Sequence, residues 1–465
     1  MSTTAIPGSF RDPGGRVHLR AGRVFRTVLP PAAQAYEAAR DAGFLDAMIE
    51  RGWLIRHAEV DPSELGADAD GARHVLEHPR LPFVSHPYEW PFAALKAAAL
   101  LQLDLLLEAL AAGFVLADAS AYNVQFVGAE PVFIDTLSIR PYQPGEYWLA
   151  HRQFCEQFLN PLLLRSSLGL GYNAWYRGSP EGIAATDLAR VLPWWRKLSP
   201  NVFMHVAMQA RLQSGRGARE KAERLVSARG LPLKGFVDIV RGLRVWIQGL
   251  VPAGASRTAF GDYAENNTYS AEDSTMKEAF VADFCAQARP KLLLDLGCNT
   301  GRFADAALRG GAGYVVGLDA DTEALDRAFA SARRRKSPLL ALHMNLSDPS
   351  PDQGWQQQER AGLARRCSES CDALLALALV HHLAIAGNVP LPRVVDWLVG
   401  LAPRGVIEFV PKSDPRVQRL LALREDIFPS YGEEDFVRAL EARAGIITQA
   451  TVPGTGRRLF GFERR

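Results

Sequence analysis

The chain has 465 residues, enough for two or three domains with a core in each. Fifty-three basic residues against 51 acidic ones leave a formal charge of +2, so nucleic acid is not indicated as a partner and a polyanion would have to be met by a local patch. Five cysteines argue against a disulfide scaffold, no basic-apolar-small leader opens the sequence, and the apolar run 97–116 is broken by Asp104 and Glu108; a cytoplasmic protein without a membrane span is the expectation.

In chain order, residues 14–20 and 22–28 are expected to form a reduced strand pair, and residues 96–112 a long apolar helix. Asp118 and Asn123 then stand five apart, and Asp135 closes a short strand beginning at Val132. This spacing resembles the catalytic loop and metal-binding aspartate of protein kinases and aminoglycoside phosphotransferases. The resemblance implies a mainly helical α+β kinase-like domain over residues 1–250. Asp118 would be its base, and Asn123 and Asp135 the magnesium ligands over the phosphates of ATP. The chain departs from that pattern. Leu116 and Ala117 replace the histidine and arginine before the base, and Leu137 replaces the glycine after the second aspartate. No lysine precedes Lys96, so an arginine such as Arg20, Arg23 or Arg26 would have to pair with phosphate. Phosphoryl transfer therefore stands as an alternative function, beside a first half that only binds a substrate or partner. The plain structural reading is that Asp118 and Asn123 turn a loop and Asp135 starts one. Helices are expected at 148–164, 186–196 and 202–214.

Glycine, proline and small residues from 249 to 261 mark a linker, placed at 251–275. A helix should follow from about Met276, with Tyr269 and Lys277 either facing a pocket or, respectively, packed and solvated. The run Leu292-Leu293-Leu294-Asp295-Leu296 reads as a buried parallel strand, and Gly297-Cys298-Asn299-Thr300-Gly301 as a turn against which a ligand can lie closely. A second strand, Tyr314 to Leu318, ends in Asp319, an acid placed to accept hydrogen bonds from both hydroxyls of a ribose. The turn lacks G-x-G-x-x-G, which argues against NAD and its pyrophosphate. Helical spacing over 323–332, strands at 339–343, 372–377 and 406–410, helices at 414–424 and 433–444, and a closing hairpin at 446–452 and 458–463 complete the alternation of a doubly wound α/β sheet.

DLGCNTG followed by GLDAD resembles the first two motifs of class I S-adenosylmethionine-dependent methyltransferases, with Asn299 where that pattern has glycine. The resemblance covers residues 276–465 and implies a seven-stranded sheet that binds S-adenosylmethionine. Asp295 would anchor the turn, Gly297, Asn299 and Gly301 shape it, Asp319 hold the ribose and Asn345 touch adenine, with Asp348 the alternative for adenine. ALALVHHL and IEFVPKSD are similar to phrases of the bacterial nodulation-protein group of two-part methyltransferases.

On the acceptor side, His381, His382 and Glu408 are the catalytic candidates. Either histidine suits a general base, with at most one of them facing substrate, and Glu408 inside a core-like strand must be paired or turned toward the pocket. Cys298 reads as a space-filler, Cys367 and Cys371 as unlinked thiols, the polar stretches 356–360 and 365–366 as a solvated helix, and 333–336 as a basic helix end. Methyl transfer to an unidentified oxygen or nitrogen acceptor, with no metal required, is the functional expectation.

Overall fold

The computed structural model describes residues 4–214, 230–254, 271–422 and 425–465. Two units divide the chain: Met1–Leu81 with Ser85–Ser256, and Pro82–Val84 with Arg257–Arg465. Tyr269, most of the expected linker and the end of the expected helix 414–424 lie outside the described residues.

The first unit opens with five antiparallel strands, β1 (Thr4–Ala5), β2 (Val17–Arg20), β3 (Arg23–Val28), β4 (Ala58–Val60) and β5 (His74–His78), in the order β1-β2-β3-β5-β4. The expected pair at 14–20 and 22–28 is therefore part of a larger sheet. Phe25, Leu65 and Val75 form the buried cluster beside it. Helix Phe92–Ala111 is apolar nearly all round and buried on most faces, as such a helix must be. It begins four residues before the expected start, directly after Pro91. Two short antiparallel pairs follow, β6 (Phe114–Leu116) with β9 (Ile139–Pro141) and β7 (Val124–Val127) with β8 (Glu130–Phe133).

The expected helix 148–164 begins at His151 and passes through a π-helical turn at Cys155–Leu159 before resuming as Asn160–Leu168. The expected helix 186–196 is cut in two: Ala185–Val191 stops at Leu192, which Pro193 forces into an extended conformation, and Trp194–Leu198 is a separate 3-10 turn.

In the second unit, helix Ala271–Ala288 leads into β10 (Leu292–Leu296), whose five residues are all buried. With β11 (Tyr314–Asp319), β12 (Leu339–His343), β13 (Ala373–Ala376), β14 (Arg404–Phe409), β15 (Ala444–Thr451) and β16 (Arg458–Arg464) it forms a seven-stranded sheet. The order is β12-β11-β10-β13-β14-β16-β15, and only β16 runs against its neighbours β14 and β15. Helices Arg302–Arg309, Thr322–Arg335, Leu363–Ser370, Leu391–Leu401 and Glu433–Glu441 connect the strands. The doubly wound α/β sheet expected of this half is present. Because the chain goes from β10 outward to β11 and β12, then returns to lay β13 on the other side, the strand order reverses at β10. The carboxyl ends beside such a reversal are where ligands of open α/β sheets bind.

All five cysteines are buried free thiols. Among the described residues no helix is long and apolar enough to cross a membrane.

Candidate functional site

The turn after β10 is held by the tip of β11. Gly297 and Cys298 each donate an N–H to the Leu318 carbonyl, at 2.8 and 3.1 Å, and the Asn299 N–H donates to Asp319 Oδ2 at 2.8 Å. Gly297, Asn299 and Gly301 take φ of +80°, +49° and +85°. Asparagine tolerates this left-handed backbone better than most residues, which is why it stands where the related pattern has glycine. Gly301 caps helix Arg302–Arg309. Asp319, half-buried, accepts from the Asn299 N–H on one oxygen and from the Asp321 N–H on the other at 2.9 Å, so its carboxylate is fixed in place with acceptor capacity remaining.

Behind the turn, Asp295 is buried and its Oδ2 has no hydrogen-bond partner. Burial, reinforced by the charge of Asp319, pushes its carboxyl up to about 7 against a hydrogen bond from the Ala304 N–H. An unpartnered buried carboxyl oxygen beside a ligand turn suits a cationic or hydrogen-bond-donating group. Cys298 is a space-filler, as expected: it packs on Gly317, where an added Cβ would lie 2.8 Å from its Sγ, and burial raises its thiol far above the usual range. Gly317, which sequence reasoning missed, is thus required in mid-strand to make room for the turn.

The three catalytic candidates separate. Glu408 is fully buried and committed: Oε1 binds Lys277 Nζ at 2.5 Å and Arg457 Nη1 at 3.4 Å, while Oε2 accepts the Ala378 N–H at 2.8 Å. Ala378 has φ +50°, a strained value for alanine, so this carboxylate fastens the bend that follows β13. Arg457 also binds Asp414 at 2.7 Å. The choice left open for Glu408 is settled toward pairing, and the expectation of a solvated Lys277 is corrected, since Lys277 is 1% exposed. Of this network sequence reasoning missed Asp414, Arg457 and Ala378.

His381 is fully buried with neither ring nitrogen partnered, and burial, with His382 and Arg457 nearby, brings it down to about 3. Full burial and this low pKa make His381 the less suited of the two histidines as a base. His382, its ring 4.3 Å away, is exposed. Partial desolvation and the charge of Arg416 lower its pKa, against the opposing pull of Asp319. A neutral imidazole is thereby presented beside the turn.

Asn345 is exposed just beyond β12, its Oδ1 accepting the Ser347 N–H at 3.1 Å. The stretch 365–366 is not wholly solvated as expected, because Arg366 is buried.

A second cluster lies in the first unit. Asn123 Nδ2 donates to Asp118 Oδ1 at 2.8 Å and to Asp135 Oδ2 at 3.1 Å, so the three residues singled out by spacing do meet. Burial, then the charge of Asp135, raises Asp118 to about 6. Arg26 on β3 binds both Asp135 and Asp12 at 2.7 Å. Burial alone would lower the Arg26 pKa, but the two carboxylates outweigh it and hold the guanidinium charged. Asp135 is thus already paired with an internal cation, which it shares with Asp12, a member that spacing did not reveal.

No family model matches the chain. Over 460 residues it is 45% identical to nodulation protein NoeA of Rhizobium meliloti (strain 1021), covering 99% of this chain and 96% of that protein. The chain belongs to the NoeA family of nodulation proteins. NoeA-family membership spans both units. Solved structures similar to parts of this chain include N-methyltransferase NodS from Bradyrhizobium japonicum WM9 in complex with S-adenosyl-L-homocysteine, at 13% identity and TM-score 0.31 over 43% of this chain and 90% of that one. Another is magnesium protoporphyrin IX methyltransferase (ChlM) from Synechocystis PCC 6803 with bound SAM, at 16% identity and TM-score 0.29 over 41% of this chain and 79% of that one.

Proposed function

We propose that this NoeA-family chain is an S-adenosylmethionine-dependent methyltransferase acting on an oxygen or nitrogen nucleophile. One observation carries the reading: at the carboxyl end of β10, where the strand order reverses, a left-handed glycine–asparagine turn is pinned to Asp319 while Asp295 leaves a buried carboxyl oxygen without a partner. The open turn, a fixed acid for the ribose and a second acid for the methionine ammonium fit a nucleoside that carries no phosphate. Asn345 offers its amide nitrogen on the adenine side.

When bound, S-adenosylmethionine supplies an electrophilic methyl group. The chain's own part is to hold the reactants in line, which by orientation alone contributes much of the acceleration. His382 takes the proton of a hydroxyl acceptor, a role suited to an exposed imidazole kept neutral near pH 7. Glu408 and Lys277 act at one remove, setting the Ala378 bend from which the His382 segment departs.

The convergence of Asp118, Asn123 and Asp135 supports a second reading for the first unit, nucleotide binding with magnesium. The Arg26–Asp135 pair favours the milder form of it, a binding role without phosphoryl transfer. Calorimetry on the full chain tests both. S-adenosylmethionine binding that is weakened about 10- to 100-fold in Asp319→Ala and kept in Asp135→Ala supports the proposal. ATP-magnesium binding lost only in Asp135→Ala supports the second site, and no uptake of S-adenosylmethionine or S-adenosylhomocysteine ends the methyltransferase reading.

A further inference from the structure

Away from both clusters, the helical part of the first unit gathers three donors of a different kind. His151 opens helix His151–Phe154, Cys155 begins the π-helical turn Cys155–Leu159, and His205 sits within a second π-helical turn, Phe203–Ala207. His151 Nε2 lies 2.9 Å from His205 Nδ1 and 3.5 Å from Cys155 Sγ, and the three donor atoms all fall within 4.8 Å of one another. Cys155 is completely buried and His205 is 4% exposed.

We propose that His151 Nε2, Cys155 Sγ and His205 Nδ1 bind one zinc ion, which clamps the segment around Cys155 to the segment around His205. Zinc accepts thiolate sulfur and imidazole nitrogen together in one site. At Zn–N of about 2.0–2.1 Å and Zn–S of about 2.3 Å, a tetrahedral site sets its nitrogens about 3.3 Å apart and nitrogen and sulfur about 3.6 Å apart. The observed 2.9 and 3.5 Å need only a few tenths of an ångström of opening to match, while Cys155 Sγ and His205 Nδ1, within 4.8 Å of each other, come to about 3.6 Å on binding.

Three further features support the site. Both segments leave the regular α-helix where they deliver a donor, and π-helical turns concentrate at functional positions. Among the described residues no carboxylate joins the three, and the imidazoles face each other through their nitrogens. Gln209 then supplies the outer contact that orients a ligand ring, its side-chain amide lying 2.7 Å from His151 Nδ1.

Binding replaces the Cys155 S–H bond by S–Zn and releases that proton to solvent. The His151 proton moves from Nε2 to Nδ1, where the Gln209 amide turns to accept it through Oε1. His205 binds through the lone pair with which it now accepts. A solvent molecule takes the fourth position.

The test uses the full chain. Purified wild-type protein is expected to carry one zinc per chain after dialysis and, once stripped with a chelator and titrated with cobalt(II), to show a thiolate charge-transfer band with tetrahedral d–d absorption. Cys155→Ser should abolish the charge-transfer band, and Gln209→Ala should weaken zinc binding about 10–100-fold. The wild-type cobalt spectrum needs no variant to fold. Zinc below one equivalent with normal circular dichroism, a cobalt complex without the thiolate band, or a band that survives in Cys155→Ser would each overturn the assignment.

Discussion

The two candidate clusters, one in each unit, handle their acids in opposite ways. In the first, Asp135 and Asp12 are closed by Arg26, and the Asn123 amide joins Asp118 to Asp135. In the second, Asp295 keeps an unpartnered oxygen and Asp319 uses only backbone N–H groups, although a few strands away Glu408 has both Lys277 and Arg457. An acid supplied with its own cation holds a fold together. On the proposed function, one left without a cation at the carboxyl ends of a sheet is placed for the ligand.

Removing the cation from a closed acid gives the largest expected effect. Lys277→Met leaves Glu408 in the core with only the longer Arg457 contact at 3.4 Å as its cation and should cost about 3–5 kcal/mol in guanidinium unfolding, with most of the loss recovered in the double variant with Glu408→Gln. A change below about 1 kcal/mol would mean that the pair is not the buried anchor described.

The open acid should reveal itself through pH. The Asp295 carboxyl is raised to about 7 when folded, while an unfolded one titrates near 4, so between those values the folded chain binds the extra proton and stability falls as pH rises. Asp295→Asn should remove that slope, a difference of up to about 4 kcal/mol by pH 7 at about 1.36 kcal/mol per unit. Parallel stability profiles from pH 4 to 7 in the two proteins would contradict it.

Asp319→Ala loses a charged acceptor worth about 1.5–3 kcal/mol, so S-adenosylmethionine should bind about 10- to 100-fold more weakly by calorimetry, with Asp135→Ala unchanged. Equal weakening in both would erase the contrast between the units. Gly317→Ala drives a Cβ into Cys298 and should destabilise the protein by about 1–3 kcal/mol in the same unfolding assay, and a neutral result would show that Cys298 is free to move aside.

The second unit was the more readable in sequence because its strands are short apolar blocks between helical stretches. Strand β12 has the limits its apolar run suggests, and the turn and Asp319 stand at the strand ends where such patterns place ligands. What the sequence withheld were partners distant in the chain. Lys277 and Glu408 are 131 residues apart, and nothing local to either tells that they meet. His381 and His382 look alike as neighbours, and only the direction of the chain after β13 buries one and exposes the other. In the first unit the five-residue interval from Asp118 to Asn123 was legible, but the closing of Asp135 by Arg26 required the register of β3. The spacing of His151 and Cys155, four apart and so on one helical face, was a usable signal; the placement of His205 beside them was not.

The most direct measurement is a crystal structure of the full chain soaked with S-adenosylhomocysteine. The ribose hydroxyls should lie on Asp319, the amino group toward Asp295 and the sulfur on the side of His382. Density for the ligand anywhere other than the carboxyl ends of β10 and β11, or its absence at saturating concentration, would contradict the assignment.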